Sequence, residues 1–576
     1  MGRTIAIGEQ DFARMVEQQY FYVDKTAFIK EWWENGDTVT LITRPRRFGK
    51  TLAMHMLYDF FSVDFAGRGR LFQGMDIWKE ETYRQLQGTY PVLFLSFAGI
   101  KGRDYQTVRK KICQLLTNMY LDHDFLLDSG ILREEEAACF KRMLGEMDDA
   151  DASVSLGQLC RYLYKYFRKK VIVLLDEYDT PMQEAYVNGY WRELTEFLRG
   201  IFHAAFKANP YLERGVMTGI TRISKESVFS ELNNLAVVTT TSRKYETAFG
   251  FTEEEVGKAL DEFGLSKQRE EVKRWYDGFR FGDCESIYNP WSITQYLDEQ
   301  VFAAYWANTS SNKLVGTLIR KGSKEVKMTV EDLLHGNSFC TKVDEQIVFD
   351  ELNENQNAIW SLLLASGYLK ITGFEVEDPS MGREGLLYRL ALTNLEIVLI
   401  FQKLIKGWFE GCSSAYHDFI KALLLHDIRR MNAYMNEVAL TTISFFDSGS
   451  APSKKTEPER FYHGFVLGLM VDLRGRYAIT SNRESGFGRY DMLLMPLNDT
   501  DDGILFEFKV FDAQDGEVTL EDTAAAAVRQ VLEKGYAADF CGVRTMDRVR
   551  VYGFAFRGKE VCIRGGYYEE CLRGRG

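Results

Sequence analysis

Three groups of residues in this chain have the types and the spacing to do chemistry. In the first, Val39 to Ile42 reads as a short apolar strand, and Arg44-Pro45-Arg46-Arg47-Phe48-Gly49-Lys50-Thr51 follows as a basic loop. A helical pattern comes next, with Leu52, Met56, Leu57, Phe60 and Phe61 on one face. This is the order of a phosphate-binding loop. Gly49 lets the backbone come close to phosphates, Lys50 would reach the β- and γ-phosphates of a nucleoside triphosphate, and Thr51 would offer its hydroxyl to magnesium. The helix N-terminus adds unpaired N–H groups and a favourable dipole. Such loops usually open with glycine six residues before the lysine. Here that place holds Arg44, and Pro45 then stiffens the turn. Arg44, Arg46 and Arg47 are expected to add positive charge around the phosphates.

The second group lies at the end of another apolar run. Val171-Ile-Val-Leu-Leu175 reads as a strand buried on both faces of a parallel sheet, and Asp176-Glu177-Tyr178-Asp179 follows. Acids at the C-terminal end of such a strand sit where open α/β sheets bind ligands. Asp176 would hold the magnesium and Glu177 would polarise the attacking water. Asp179 is either part of the site or a cap for the next turn. A further short strand ends in Gly219-Ile-Thr221-Arg222. Thr221 or Arg222 would sense the γ-phosphate there, and Arg222 would also serve as a charge-stabilising finger. The competing reading is a strand-end threonine beside a surface arginine.

The third group is near the C-terminus. Asp491-Met-Leu-Leu-Met-Pro496, a polar turn over 498–503 and Ile504-Leu-Phe-Glu507-Phe-Lys509 read as a β-hairpin. Strand residues two apart share a face, so Glu507 and Lys509 project together. A turn near Asp499 to Asp501 places Asp491 opposite them. Two carboxylates make a hard-oxygen site suited to Mg2+ or Mn2+. A lysine beside them would orient a water or stabilise a phosphate in flight. The competing reading is a charged pair on an exposed hairpin edge.

Residues 5 to about 300 resemble the AAA-ATPase-like family of bacterial proteins. The matching pieces are Phe21-Tyr22-Val23-Asp24-Lys25-Thr26, Arg44 to Thr51, Leu174 to Asp179, Thr218 to Ile223, Asn233-Asn-Leu235 and Tyr276 to Gly282. The resemblance makes Arg44 usual at its place and implies nucleotide binding near Tyr22 and Val23, flanking the adenine. The C-terminal group resembles the PD-(D/E)XK nuclease superfamily through Asp491 and Glu507-Phe-Lys509, together with Phe461 to Phe465 and Gly486 to Asp491. That resemblance implies that Asp491 and Glu507 bind metal and that Lys509 serves the water. It also implies that Glu459 adds a carboxylate from the preceding helix, and that Gln530 positions the lysine or a phosphate. Tyr490 stands where the superfamily's name has proline.

The elements that must position these groups make the chain an α/β protein. We expect a P-loop parallel-sheet ATPase domain over 1–250, a helical lid over 251–300, a winged-helix-like and helical connector over 301–447, and an α/β restriction-endonuclease-like domain over 457–576. The lid begins at Thr252, whose Glu255 partner makes a capping box, and Asn357 to Leu369 reads as an apolar helix ended by Gly367. Ser448 to Thr456 reads as a linker. Nine cysteines stand singly, with no Cys-x-x-Cys, and the N-terminus lacks a signal-like apolar core, so a reducing cytoplasm and no membrane span are expected. The net charge of −12 excludes nucleic-acid binding by bulk electrostatics and leaves it to local patches or metal-bridged phosphates. The expected cofactors are ATP and Mg2+, with Mn2+ as an alternative at the second site. The expected partner is nucleic acid, DNA before RNA, and a homo-oligomer is left open. The expected function is a nucleotide-gated, metal-dependent nuclease with a role in defence against foreign DNA. The rival is an ATP-dependent switch or scaffold whose nuclease fold only binds.

Overall fold

The computed structural model describes residues 2–207, 209–221, 229, 232–308, 315–316, 318–319, 324–334, 336–344, 356–376, 386–407, 416–443, 466, 470, 473, 475–481, 484–485, 488–489, 491–511, 517–536, 540, 545–557 and 560–574. They form two compact bodies, one of Met1–Leu318 with His335–Ile400 and one of Ile319–Leu334 with Phe401–Gly576.

The first body is built on five parallel strands: β1 (Val39–Thr43), β2 (Val92–Ser96), β3 (Val171–Asp176), β4 (Leu212–Gly219) and β5 (Leu235–Val238), in the order β2-β3-β4-β1-β5. All residues of β1 and β3 are buried, as expected for strands covered on both faces. The helix α1 (Lys50–Phe61) follows β1 and joins one apolar cluster with Ile42, Ile172, Leu174 and Val216. The opposite face of the sheet, with Leu41, Val173, Leu175 and Met217, packs on α2 (Tyr105–Leu121), α3 (Asp149–Phe167) and α4 (Trp191–Phe202). Strand β4 lies between the strand that feeds the basic loop and the strand that ends in Asp176, so the C-terminal ends of all three come together.

The region expected as a helical lid contains a sheet as well. Strands β6 (Phe251–Thr252), β7 (Phe279–Phe281) and β8 (Cys284–Tyr288) pair antiparallel in the order β6-β8-β7 beside α5 (Glu253–Glu262) and α6 (Pro290–Glu299). Trp275 to Phe279 reads as a turn with aromatic flanks, yet Phe279 opens a strand in which it and Phe281 are inward residues flanking Phe48 at 4.8 and 5.4 Å. The Thr252–Glu255 capping box is present. Beyond it, β9 (Phe339–Lys342), α7 (Gln356–Ala365), β10 (Leu369–Val376) and β11 (Leu386–Leu392) give a helix followed by a hairpin, with β9 as third strand in the order β10-β11-β9. Gly367 has φ +85°, the left-handed conformation that ends the helix. This part, up to the start of α8 (Leu395–Gly407), belongs to the first body rather than to a separate connector.

The second body contains α9 (Tyr416–Leu424) and α10 (Ile428–Ile443), which the sequence reading places in the connector. Its sheet has the order β12-β15-β16-β17-β18, from β12 (Tyr477–Ser481), β15 (Met492–Pro496), β16 (Gly503–Val510), β17 (Val549–Arg557) and β18 (Glu560–Tyr567). A two-stranded ribbon, β13 (Glu484–Ser485) and β14 (Gly488–Arg489), stands outside it. Only β16 and β17 run parallel, and α11 (Leu520–Lys534) crosses between them. The segment at 448–456 lies outside the described residues.

One buried acid in α1 has a measurable consequence. Asp59 is 3% exposed, and its Oδ2 has no hydrogen-bond partner among the described residues. Burial, with Asp11 nearby, pushes it up to about 7, against an ordinary value of 3.8. Between those values the folded chain holds a proton that the unfolded chain has lost, so this group's contribution to stability falls as pH rises from about 4 to 7, by at most about 1.4 kcal/mol per pH unit. Asp59→Asn should therefore be more stable than the parent at pH 8. Urea midpoints measured from pH 5 to 8 should show that advantage growing with pH.

Candidate functional site

At the C-terminal edge of the first sheet the loop after β1 closes around a lysine. Lys50 is 7% exposed, and its Nζ donates to the carbonyl oxygens of Arg44 and Pro45, both at 2.8 Å. Burial pushes Lys50 down to about 8, although Glu177, Asp179 and Asp176 oppose that and Arg46 adds to it. Gly49 sits at φ +80° and Arg47 at φ +66°, so the loop doubles back on itself immediately before α1. Thr51 Oγ1 donates to Asp176 Oδ2 at 2.8 Å, and Thr218 Oγ1 donates to Asp176 Oδ1 at 2.5 Å. Asp176 is fully buried, and burial raises its pKa despite those two hydroxyls. Glu177 adopts φ +52°, its N–H donates to Thr218 Oγ1 at 3.3 Å, and its Oε2 accepts from Thr180 Oγ1 at 2.9 Å.

Arg47, Gly49, Lys50, Thr51, Glu177 and Thr180 line a cavity of about 580 Å3, whereas Asp176 and Thr218 lie behind that wall, Asp176 reaching it through the Thr51 hydroxyl. The wall includes the expected Tyr22, Val23, Arg46, Arg47, Phe48, Gly49, Lys50, Thr51, Leu52 and Glu177. The volume is that of a pocket for a nucleotide-sized ligand. Tyr22 O–H reaches Met56 Sδ at 3.6 Å and accepts from Lys25 N at 3.2 Å. Several lining residues carry no sequence signal of their own: Ala98, Lys101, Gly250 and Trp291; Lys25 comes from the 21–26 segment of the family resemblance, which assigns it no role. Lys25 is paired with Glu255 at 2.7 Å, and Arg47 lies over the Trp291 ring at 4.2 Å. Only the three-dimensional assembly joins these positions to the loop.

Three expected residues, Arg44, Pro45 and Thr221, are placed otherwise. The Arg44 guanidinium is fully buried, donating to the carbonyls of Thr43 at 3.0 Å and Thr239 at 2.5 Å, 4.5 Å over the Phe281 ring. It braces β1 against β5 and is not a charge facing the cavity. Pro45 contributes its carbonyl to Lys50 and is likewise absent from the wall. The Thr221 hydroxyl donates to Asp179 Oδ2 at 3.0 Å and is 1% exposed, so it is occupied inside the protein. Arg222 lies outside the described residues. Asp179 does more than end a turn. Its Oδ2 also accepts from the N–H groups of Ile220 and Thr221 at 2.9 and 3.0 Å, and so fastens the end of β4.

The second body assembles the C-terminal group. Strands β15 and β16 pair antiparallel with Met492 opposite Phe506, around a turn at 497–502. Leu493 and Leu505 pack in one cluster with Val528 and Val531 of α11, whereas Met492, Leu494, Ile504, Phe506 and Phe508 pack in the other. Period-2 alternation therefore puts Asp491, Glu507 and Lys509 on the face toward α11. Asp491 Oδ2 accepts from Phe508 N at 2.8 Å, which ties its carboxylate to the Glu507–Phe508 peptide. Glu507 is 3% exposed, and Gln530 Nε2 of α11 donates to its Oε1. Glu459 lies outside the described residues. Among the described residues no three His, Cys, Asp or Glu side chains converge. The donor set present, two carboxylates at one strand end, fits a hard divalent cation that keeps part of its water shell.

Residues 6–229 match the predicted AAA-ATPase family, and residues 457–565 match the PD-(D/E)XK nuclease superfamily. Along nearly its whole length the chain is also similar to an uncharacterized protein encoded in the vnfD 5' region of Azotobacter chroococcum mcd 1, at 27% identity over 540 residues covering 93% of each chain. The five-stranded parallel sheet accords with a P-loop ATPase domain, and the mixed second sheet with a nuclease-like one. No helix among the described residues is long and apolar enough to cross a membrane.

The depressed Lys50 gives a signed prediction. Between pH 8 and 10.5 the unfolded chain holds the lysine proton and the folded chain does not, so Lys50 makes the nucleotide-free protein gain stability as pH rises through that window. The gain is at most about 1.4 kcal/mol per pH unit. Subtracting the pH–stability curve of Lys50→Met from that of the parent should isolate this rise. A flat difference would mean that Lys50 is solvated.

Proposed function

We propose that the first body binds and hydrolyses ATP with magnesium, and that the second cleaves a nucleic-acid phosphodiester in a metal-dependent reaction. The observation that carries the first half is the desolvated Lys50, held on two loop carbonyls in the wall of a cavity that Glu177 also lines. A buried ammonium resting on neutral acceptors gains most from an anion brought beside it. Thr51 and Asp176 would hold the magnesium, which supplies charge neutralisation on the phosphates. Lys50, Arg46 and the loop N–H groups bind the polyphosphate. Tyr22 and Val23 flank the base. Glu177 accepts a proton from, and aligns, the attacking water.

In the second body Asp491 and Glu507 would hold the metal, which supplies an activated water and a counter-charge. Lys509 orients that water on the same strand face. Gln530 fixes the Glu507 carboxylate and so decides which oxygen is turned to the site. DNA is the favoured substrate. The net acidity of the chain favours a narrow, metal-bridged contact over a broad basic groove. Nucleotide state is proposed to gate the cleavage, and defence against foreign DNA is the role that pairing a nucleotide switch with a nuclease suggests.

Two sets of variants test this reading. Glu177→Gln should bind ATP as tightly as the parent while its hydrolysis rate falls by about 100-fold or more; equal turnover would remove Glu177 from its role. Lys509→Ala and Glu507→Ala should each abolish Mg2+- or Mn2+-dependent plasmid cleavage, with circular dichroism and ATP hydrolysis unchanged. A parent protein that leaves single- and double-stranded DNA and RNA intact, with either metal and with or without ATP, would favour the binding-only reading of the second body.

A further inference from the structure

The main-chain carbonyl of Arg46 is gripped from outside the loop. Trp306 Nε1 donates to it at 3.2 Å and Asn289 Nδ2 approaches it at 3.5 Å. Asn289 also caps α6, accepting from Trp291 N at 2.9 Å. The next residue, Arg47, lies over the Trp291 ring. Behind these groups stands a carboxylate that no part of the proposed chemistry uses. Glu396 is fully buried, accepts Ser292 Oγ on both oxygens at 3.0 and 2.9 Å, and accepts Trp306 N at 2.8 Å. It therefore fixes both arms of the grip at once: the first turn of α6, through Ser292, and the tryptophan that holds Arg46.

We infer that Glu396 is a positioning residue of the nucleotide site, holding Trp306 and α6 so that they lock the Arg46–Arg47 turn in its phosphate-receiving shape. The inference rests on the ATP-binding reading above. The physical case is that Arg47, a non-glycine residue at φ +66°, does not keep that conformation unaided. Such strain persists only where the surroundings over-determine it. Here they do so through one carbonyl with two donors and one guanidinium laid on a ring. Removing the buried acceptor leaves Trp306 N–H and Ser292 O–H without their partner, and the indole that reaches Arg46 is then free to shift. The Trp306 ring has apolar support of its own, 4.9 Å from Tyr368 and 6.3 Å from Phe279, so the ring can stay while its hydrogen bonds are changed.

The test uses the full-length chain. Glu396→Ala and Trp306→Phe should each raise KM for ATP, and Kd for methylanthraniloyl-ATP, by about tenfold, with kcat at saturating ATP within about twofold. Glu396→Gln, which keeps one accepting oxygen, should recover most of the affinity. The double variant should be no weaker than the weaker single one, because both act on the same carbonyl. Amide exchange at Phe48, Gly49 and Lys50 in nucleotide-free protein should quicken in each variant. This last readout needs no ATP, so a failure of the ATP-binding reading, seen as a parent that binds none, is distinguishable from a failure of the positioning role. Unchanged exchange together with unchanged affinity would overturn the inference. So would additive losses in the double variant, or a fall in kcat at constant KM. If Glu396→Ala does not fold, Trp306→Phe and Ser292→Ala decide the matter by the same measurements.

Discussion

The hydrogen bonds from Lys50 to two carbonyls of its own loop set the shape of everything around them. An ammonium group taken out of water must be surrounded by oxygen or lose its charge. Among the described residues no acid makes an ion pair with it, and the loop itself supplies the oxygen, turning the carbonyls of Arg44 and Pro45 inward. Turning two consecutive carbonyls the same way bends the chain sharply. The bend reappears two and four residues later as the left-handed conformations of Arg47 and Gly49. The Arg44 side chain is directed to the other side, into the space between β1 and β5, where backbone carbonyls at 43 and 239 and an aromatic ring receive it. One buried cation thus dictates where a second one goes.

The second body meets the same constraint with the opposite charge. Glu507 is as buried as the apolar residues on either side of it, and it stays there because α11 brings an amide to it. The helix can do so because β16 and β17 are parallel, and parallel neighbours need a crossover. Topology and site are therefore one problem. The crossover that completes the sheet also lays Gln530 over the strand that carries Glu507 and Lys509.

Much of this was legible in the residue order, and the parts that were not have a common cause. The strands at 39–43 and 171–176, the capping box at 252–255 and the hairpin joining 492–496 to 503–510 follow from local pattern: apolar runs, period-2 alternation and turn chemistry. Residue spacing alone puts Asp491 across from Glu507. Arg44 was misread because its charge suggests phosphate, whereas its partners lie some 200 residues further on, at Thr239, Lys244 and Tyr245. Thr221 was misread in the same way, since the acid that takes its hydroxyl belongs to the turn after another strand. The sheet within 251–300 is hidden from the sequence because its strands are only two to five residues long, too short to show an alternating pattern. Glu396 and Trp306 carry no local signal at all.

Two non-glycine residues at this cavity, Arg47 and Glu177, hold left-handed backbone, each at a cost of roughly 1–2 kcal/mol. A glycine would relieve the cost at either position, as it does at Gly49. Both sites keep long charged side chains instead, and each is clamped from a neighbouring element: Arg46–Arg47 by Asn289, Trp291 and Trp306, and the Glu177–Tyr178 turn by Thr218 of β4, which accepts from Glu177 N on its hydroxyl and from Tyr178 N on its carbonyl. Strain that is clamped from outside is strain whose release depends on what the clamp does. The segment from Asn289 to Trp306 and the end of β4 are therefore more than walls of the cavity. They hold its two left-handed non-glycine residues in place, so the shape of the charged wall depends on contacts made from outside the loops that carry it.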